Sequence, residues 1–146
     1  ISAKDRMGIA IDHVRSVRSE NFLYIKNYMT DRPLYQAGYR DGYATFVNIR
    51  KLYEENQLTP LQASYHDTSK RQGEELYDIA KDPHQLHNLA ANPEYAAVLK
   101  QHREQLKEWE KQTDDKGRYP SSKAELKKVF DQAPGKCVNP EYDVFK

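Results

Sequence analysis

Apolar and polar positions alternate over residues 22–28. Phe22, Tyr24, Lys26 and Tyr28 fall on one side, with Leu23, Ile25 and Asn27 on the other. A period of two is the mark of a β-strand. Residues 9–19 are rich in β-branched side chains, and the polar Ser19-Glu20-Asn21 separates the two runs, so a β-hairpin is predicted. Both faces of its second strand carry apolar groups, which places the hairpin inside a sheet or under a helix. Residues 30–42 are irregular, broken by Pro33, Gly38 and Gly42. The period then lengthens: Tyr43, Phe46, Val47, Arg50 and Tyr53 share one helical face, and the pattern fades near Asn56. Thr59-Pro60 reads as an N-cap followed by the first residue of a short helix that runs to about Tyr65.

A third strand is predicted over residues 75–80, followed by a turn at Asp82-Pro83. Asn92-Pro93 repeats the cap-and-proline device and opens the clearest element in the chain. Tyr95, Leu99, His102, Leu106 and Trp109 form an apolar stripe with Val98 beside them. A helix over 93–113 spans roughly 30 Å, enough to lie across a small sheet. Ser122 and Glu125 form a capping-box pattern ahead of Leu126, Val129 and Phe130. Residues 134–146 are expected to form a loop lying on the domain or on a neighbour.

Composition narrows the class. The 146 residues suffice for one domain. With 11 Tyr, 4 Phe and 1 Trp, the chain has the aromatic supply of a folded protein. Lys and Arg number 23 against 22 Asp and Glu, so there is no general basic excess of the kind that marks nucleic-acid binding. Tyr24-Ile25-Lys26-Asn27-Tyr28 interleaves rings with charge, but lacks the glycine-aromatic signature of an RNA-binding sheet. No run of 18 apolar residues is present to span a membrane as a helix. The single cysteine, Cys137, excludes an internal disulfide.

Few residues carry obvious chemistry. His84 and His87, near Asp78 and Asp82, have the spacing of a partial metal site, but two histidines do not complete a ligand set. Turn residues are the better reading, and no metal site is assigned. His102 lies on the helical stripe and is read as a core-edge histidine bonded to a tyrosine hydroxyl or a carbonyl. Cys137 has no adjacent base or cation and reads as inert. Asp114-Asp115 reads as a solvated helix end. Lys4, Asp5 and Arg6, followed by Arg15 and Arg18, form a basic cluster. Guanidinium forks suit sulfate or phosphate oxygens. Against that, Arg15 and Arg18 are expected to be exposed hairpin residues.

Several segments resemble one family. Val14-Arg15-Ser16-Val17-Arg18 followed by residues 22–28 resembles the R-x-V-R…Y-K-Y-I-x-N hairpin of sulfatase C-terminal subdomains. Residues 58–63 resemble an L-T-P-x-Q-A segment of bacterial members. Residues 75–90 resemble the ELYD–DPHE–NLA signature, with Gln85 where Glu is usual, and residues 99–109 resemble its L-x-x-L-R-x-x-L-x-x-W helix. Order and spacing are most similar to the heparan N-sulfatase (sulfamidase) branch, over about residues 4–119.

The resemblance implies an α+β fold: a small antiparallel sheet of about four strands packed against a long amphipathic helix, with a further helix inserted between strands. The pattern locates three strands and leaves the fourth to the tail or to a first segment near Met7. The resemblance also implies that residues 1–146 are one domain, the C-terminal subdomain of a larger sulfatase acting on glycosaminoglycan-type sugars. Its partner would be an N-terminal catalytic domain, which would hold the calcium and the formylglycine. The C/S-x-P-S/T-x-R nucleophile motif does not occur in this chain, so no catalytic residue is assigned. Lys4, Asp5 and Arg6 are expected at the substrate rim. Lysosomal sulfamidases carry two cysteines in the tail where this chain has one, which implies a bacterial, periplasmic or secreted parent. The rival readings are a free-standing carbohydrate-binding or interaction module and, less favoured, an RNA-binding α+β domain.

Overall fold

The computed structural model describes residues 1–38 and 40–146, and the backbone alone at residue 118. Four strands, β1 (Ser2–Met7), β2 (Ala10–Arg18), β3 (Phe22–Asn27) and β4 (Glu74–Asp78), form one antiparallel sheet in the order β1-β2-β3-β4. The fourth strand is therefore the segment near Met7, not the tail. Gly8 joins β1 to β2 at φ 63°, a left-handed conformation that a side chain disfavours. Ser19 closes the next turn: its N–H donates to the Phe22 carbonyl at 2.9 Å, and its hydroxyl accepts from the Phe22 N–H. This sets the register Val17↔Tyr24, and β4 continues it with Tyr24↔Leu76. Between β3 and β4 lie helices α1 (Ala44–Glu54) and α2 (Pro60–Ser64); α3 (Ala96–Thr113) and α4 (Lys123–Gln132) follow β4.

The chain forms two compact units. The first comprises residues 1–5, 13–29 and 72–119. Its core is the face of Val17, Tyr24 and Leu76 beneath Leu99 and Leu106 of α3, with Phe22, Tyr95, Val98 and Trp109 packed around it. The apolar stripe foreseen for the long helix is thus the stripe that covers the sheet. The helix begins as predicted at Asn92-Pro93, but residues Pro93–Tyr95 wind as a 3₁₀ turn before the α-helix starts. Asn92 Oδ1 accepts from the Glu94 N–H at 3.0 Å, and the Ala96 N–H closes onto the Pro93 carbonyl. Asp114 ends the helix in the left-handed conformation, and the Asp115 N–H returns to the Glu110 carbonyl.

The second unit comprises residues 6–12, 30–71 and 120–146. Thr59 and Ser122 both make full capping boxes, with Gln62 and Glu125, as the sequence patterns specify. The tail is more structured than expected. Pro134–Lys136 and Pro140–Phe145 are 3₁₀ turns, and Tyr142 is 0% exposed, its hydroxyl donating to the Ile9 carbonyl at 3.0 Å. Asn139 Oδ1 accepts from the Ile11 N–H at 3.0 Å. These bonds satisfy polar groups on the tail and near the start of β2, and so allow Asn139 and Tyr142 to be buried within a tail that is otherwise mostly exposed.

Candidate functional site

Strand geometry determines where the N-terminal cluster points. Successive side chains alternate, so Lys4 and Arg6 share one direction and Asp5 takes the other. In the first unit Lys4 and Asp5 are exposed. Asp5 is engaged by a buried neighbour: its Oδ1 lies 2.7 Å from Arg15 Nη2 and 3.4 Å from His13 Nδ1.

Arg15 is 1% exposed, which corrects the expectation of an exposed hairpin arginine. The cause lies a hundred residues away. Asp115 takes the guanidinium as a fork, with Nε and Nη2 each donating to one carboxylate oxygen at 2.9 Å. Nη1 donates to the Val14 carbonyl at 2.8 Å. Burial disfavours the charge, but the hydrogen bonds and charges of Asp115 and Asp5 outweigh it and raise the Arg15 pKa further. Gly117 lies two residues further on, and a Cβ there would overlap the guanidinium. Asp115 is accordingly the second half of a structural clamp, and not a solvated helix end. Arg18 is exposed, as expected.

In the second unit Arg6 is half-buried. Hydrogen bonds with Ser122, and after them the charge of Arg6, favour ionisation of Glu125, while the charge of Arg6 and its hydrogen bond with Tyr142 oppose the upward push of burial on the Tyr142 hydroxyl. The Arg6 Nη1 is shielded from solvent and meets no hydrogen-bond acceptor among the described residues.

Most of the remaining candidates have structural partners. His84 and His87 are exposed, and Asp82 caps the turn by accepting from the Leu86 and His87 N–H groups at 2.8 Å. Among the described residues no group of three or more His, Cys, Asp or Glu side chains is placed to hold a metal ion. His102, 3% exposed, bonds the Val98 carbonyl through Nδ1 at 2.8 Å and Ser19 Oγ through Nε2 at 3.1 Å. Cys137 is buried, its thiol donates to the Ala133 carbonyl, and burial pushes its pKa up, away from nucleophilic character. Neither the sequence around it nor its setting fits a formylglycine precursor.

One ionic network joins the sheet to the long helix. Glu74 receives Arg103 Nε at 2.9 Å and the Tyr24 hydroxyl at 2.6 Å. The hydrogen bond from Arg103, then those of Tyr24 and the charge of Lys26, outweigh burial and pull the Glu74 carboxyl from 4.5 down to about 2. A depressed folded-state pKa means that the stabilisation is present above pH 4.5 and is lost as pH falls towards 2. Glu74→Gln is therefore expected to be less stable at pH 7 by about 1.5–3 kcal/mol. Urea titrations between pH 7 and 2 should show that difference shrinking below pH 4.5; a gap constant with pH would refute the assignment.

Parts of two known sulfatases are similar to this chain. An ulvan-active sulfatase of Formosa agariphila is 34% identical over 122 residues, covering 83% of this chain and 20% of the relative. Human N-sulphoglucosamine sulphohydrolase is 46% identical over 41 residues, or 28% of this chain and 8% of that protein. The chain thus spans a fifth or less of the curated relatives it matches. No family model matches it.

Proposed function

We propose that this chain, which belongs to the sulfatase family as a C-terminal subdomain, is the non-catalytic part of an enzyme that hydrolyses sulfate esters or sulfamates on glycosaminoglycan-type sugars. The observation that carries this reading is the coverage: most of the chain matches a sulfatase, yet it spans only 20% of that sulfatase's length. The partner is a larger N-terminal catalytic domain, which supplies calcium and formylglycine chemistry; this chain supplies stability and part of the cleft rim. The parent acts in the periplasm or outside the cell.

Unpaired apolar surface on the second unit supports such a partner. Neither α1 nor α2 has a fully buried residue. Tyr43 and Val47 are exposed four residues apart, as are Leu61 and Tyr65. A helix normally buries its apolar stripe, so these stripes suit coverage by the catalytic domain.

At the rim, Arg6 is assigned to an anionic or hydroxyl group of the sugar, with Lys4 and Asp5 on the same strand. In the full-length parent, Arg6→Ala is expected to raise KM for a sulfated disaccharide roughly tenfold while leaving kcat near its original value, the mark of lost uniform binding. Unchanged KM would sink the rim role.

A further inference from the structure

Asp41-Gly42 is the one Asp–Gly pair in the chain, and no Asn–Gly pair occurs. It lies in the turn ahead of α1. There the Asp41 N–H donates to the Gly38 carbonyl at 3.1 Å, and the Tyr43 N–H to the Arg40 carbonyl at 2.9 Å. The Gly42 N–H between them meets no acceptor among the described residues. Gly42 is exposed, and with no Cβ it leaves its amide nitrogen open to the preceding side chain. That nitrogen is one bond away from a five-membered ring closed on the Asp41 carboxyl carbon.

Arg50 of α1 holds Asp41 at two points. Its Nη1 lies 3.1 Å from the Asp41 Oδ1, and its Nη2 donates to the Asp41 carbonyl at 2.5 Å. Side chain and main chain of Asp41 are thereby tied to one guanidinium. Ring closure requires the carboxyl carbon to swing onto the Gly42 nitrogen, and groups held out of attack geometry react slowly.

We propose that Asp41-Gly42 is a site of spontaneous isoaspartyl formation and that Arg50 is its restraint. The Gly42 nitrogen attacks the Asp41 Cγ. The N–Cγ bond forms, the C–O bond of the protonated carboxyl breaks, and the hydroxyl leaves with the amide proton as water. Water then adds to one carbonyl of the resulting succinimide. Breaking the N–Cγ bond restores aspartate. Breaking the bond from nitrogen to the main-chain carbonyl carbon instead leaves the chain running through Cβ and Cγ, as isoaspartate. Water is the one co-reactant, and nothing is oxidised or reduced. The isoaspartyl form lengthens the main chain by one carbon just ahead of α1 and turns the original carbonyl into a free carboxylate. Neither Arg50 contact can then persist in its present form.

The full gene product is incubated for several weeks at physiological temperature and mildly acid pH, beside a synthetic peptide of residues 36–46. Isoaspartate at residue 41 is quantified by peptide mapping with electron-transfer fragmentation. It is expected to accumulate in the folded protein, but more slowly than in the peptide. Arg50→Met should raise the rate roughly threefold to fivefold, the rate equivalent of a partly exposed ion pair. Arg50→Lys should fall between the two, since an ammonium cannot reproduce the fork that reaches both oxygens. A Cβ at Gly42 meets no atom within 4 Å and the residue has no left-handed φ, so Gly42→Ala keeps the fold. That variant should lower the rate by about tenfold, because the Cβ shields the attacking nitrogen. Circular dichroism checks that each variant is folded. No isoaspartate at residue 41 in either the original or the Arg50→Met protein, or an equal rate in Gly42→Ala, overturns the site. Equal rates in the original protein and both Arg50 variants overturn the restraint.

Discussion

Replacing Arg71 by Met is expected to destabilise the second unit by about 3–5 kcal/mol. Arg71 and Asp12 are 2% and 1% exposed at their side chains, the most completely enclosed ion pair among the described residues. Arg71 Nη2 lies 2.8 and 2.9 Å from the two Asp12 oxygens, and its Nη1 donates to the Pro33 carbonyl at 3.2 Å. Removing the guanidinium takes its forked partner from the Asp12 carboxylate in a site that water reaches poorly, where losing a charge partner is costly. The double variant Arg71→Met with Asp12→Leu removes both charges and should recover most of the loss. Urea unfolding followed by far-UV circular dichroism reads both quantities. A single variant as stable as the original chain, or a double variant worse than the sum of its parts, would show that the pair does not hold the unit in this way.

Arg15→Met should act comparably on the first unit, by about 3–5 kcal/mol. The geometry differs, and so does the expected rescue. Asp115 is 9% exposed and Asp5 51%, so the cost falls mainly on Asp115. Asp115→Asn is expected to be milder than Arg15→Met, because Asp5 stays on the guanidinium. Arg15→Lys should recover little, since an ammonium cannot reproduce the two-bond fork. Trp109 packs against this core and gives a local fluorescence signal for the measurement. Equal stability of the Lys and Arg forms would contradict a role for the fork.

The two clamps also mark where the sequence stops being readable. Local devices were legible because their partners lie within a turn. Thr59 with Gln62 and Ser122 with Glu125 are three residues apart, and each forms the capping box that its pattern specifies. The alternation over 22–28 and the stripe from Tyr95 to Trp109 survive because a sheet face and a helix face need only their own periodicity. Arg15 and Asp115 are 100 residues apart, and Arg71 and Asp12 are 59 apart, with no local pattern linking either pair. For Arg15, the average surface preference of arginine pointed outward, and a specific long-range partner overrode it. The tail failed for a related reason. Tyr142 looks like an exposed polar-segment tyrosine until its hydroxyl finds the Ile9 carbonyl. The first strand was missed as a full element because residues 2–7 are polar and mostly exposed, with no alternation to announce a strand.

The site was legible only in part. Motifs over residues 75–90 pointed to the family, while their physical task is architectural: Asn88 Oδ1 accepts from the Leu76 N–H at 2.9 Å, and Asp82 caps the turn that leads to the helix. The ring contacts of Tyr35 with Phe46 and His66, and of His66 with Tyr53, gave no sequence signal, since they join distant positions of an irregular segment, a helix and a loop.

The most direct measurement is sulfate release from ulvan and from heparan fragments, assayed in parallel for the full gene product and for this 146-residue chain. The account predicts release by the full product and none by the chain. Release by the 146-residue chain, or no release from any sulfated sugar by the full product, would contradict it.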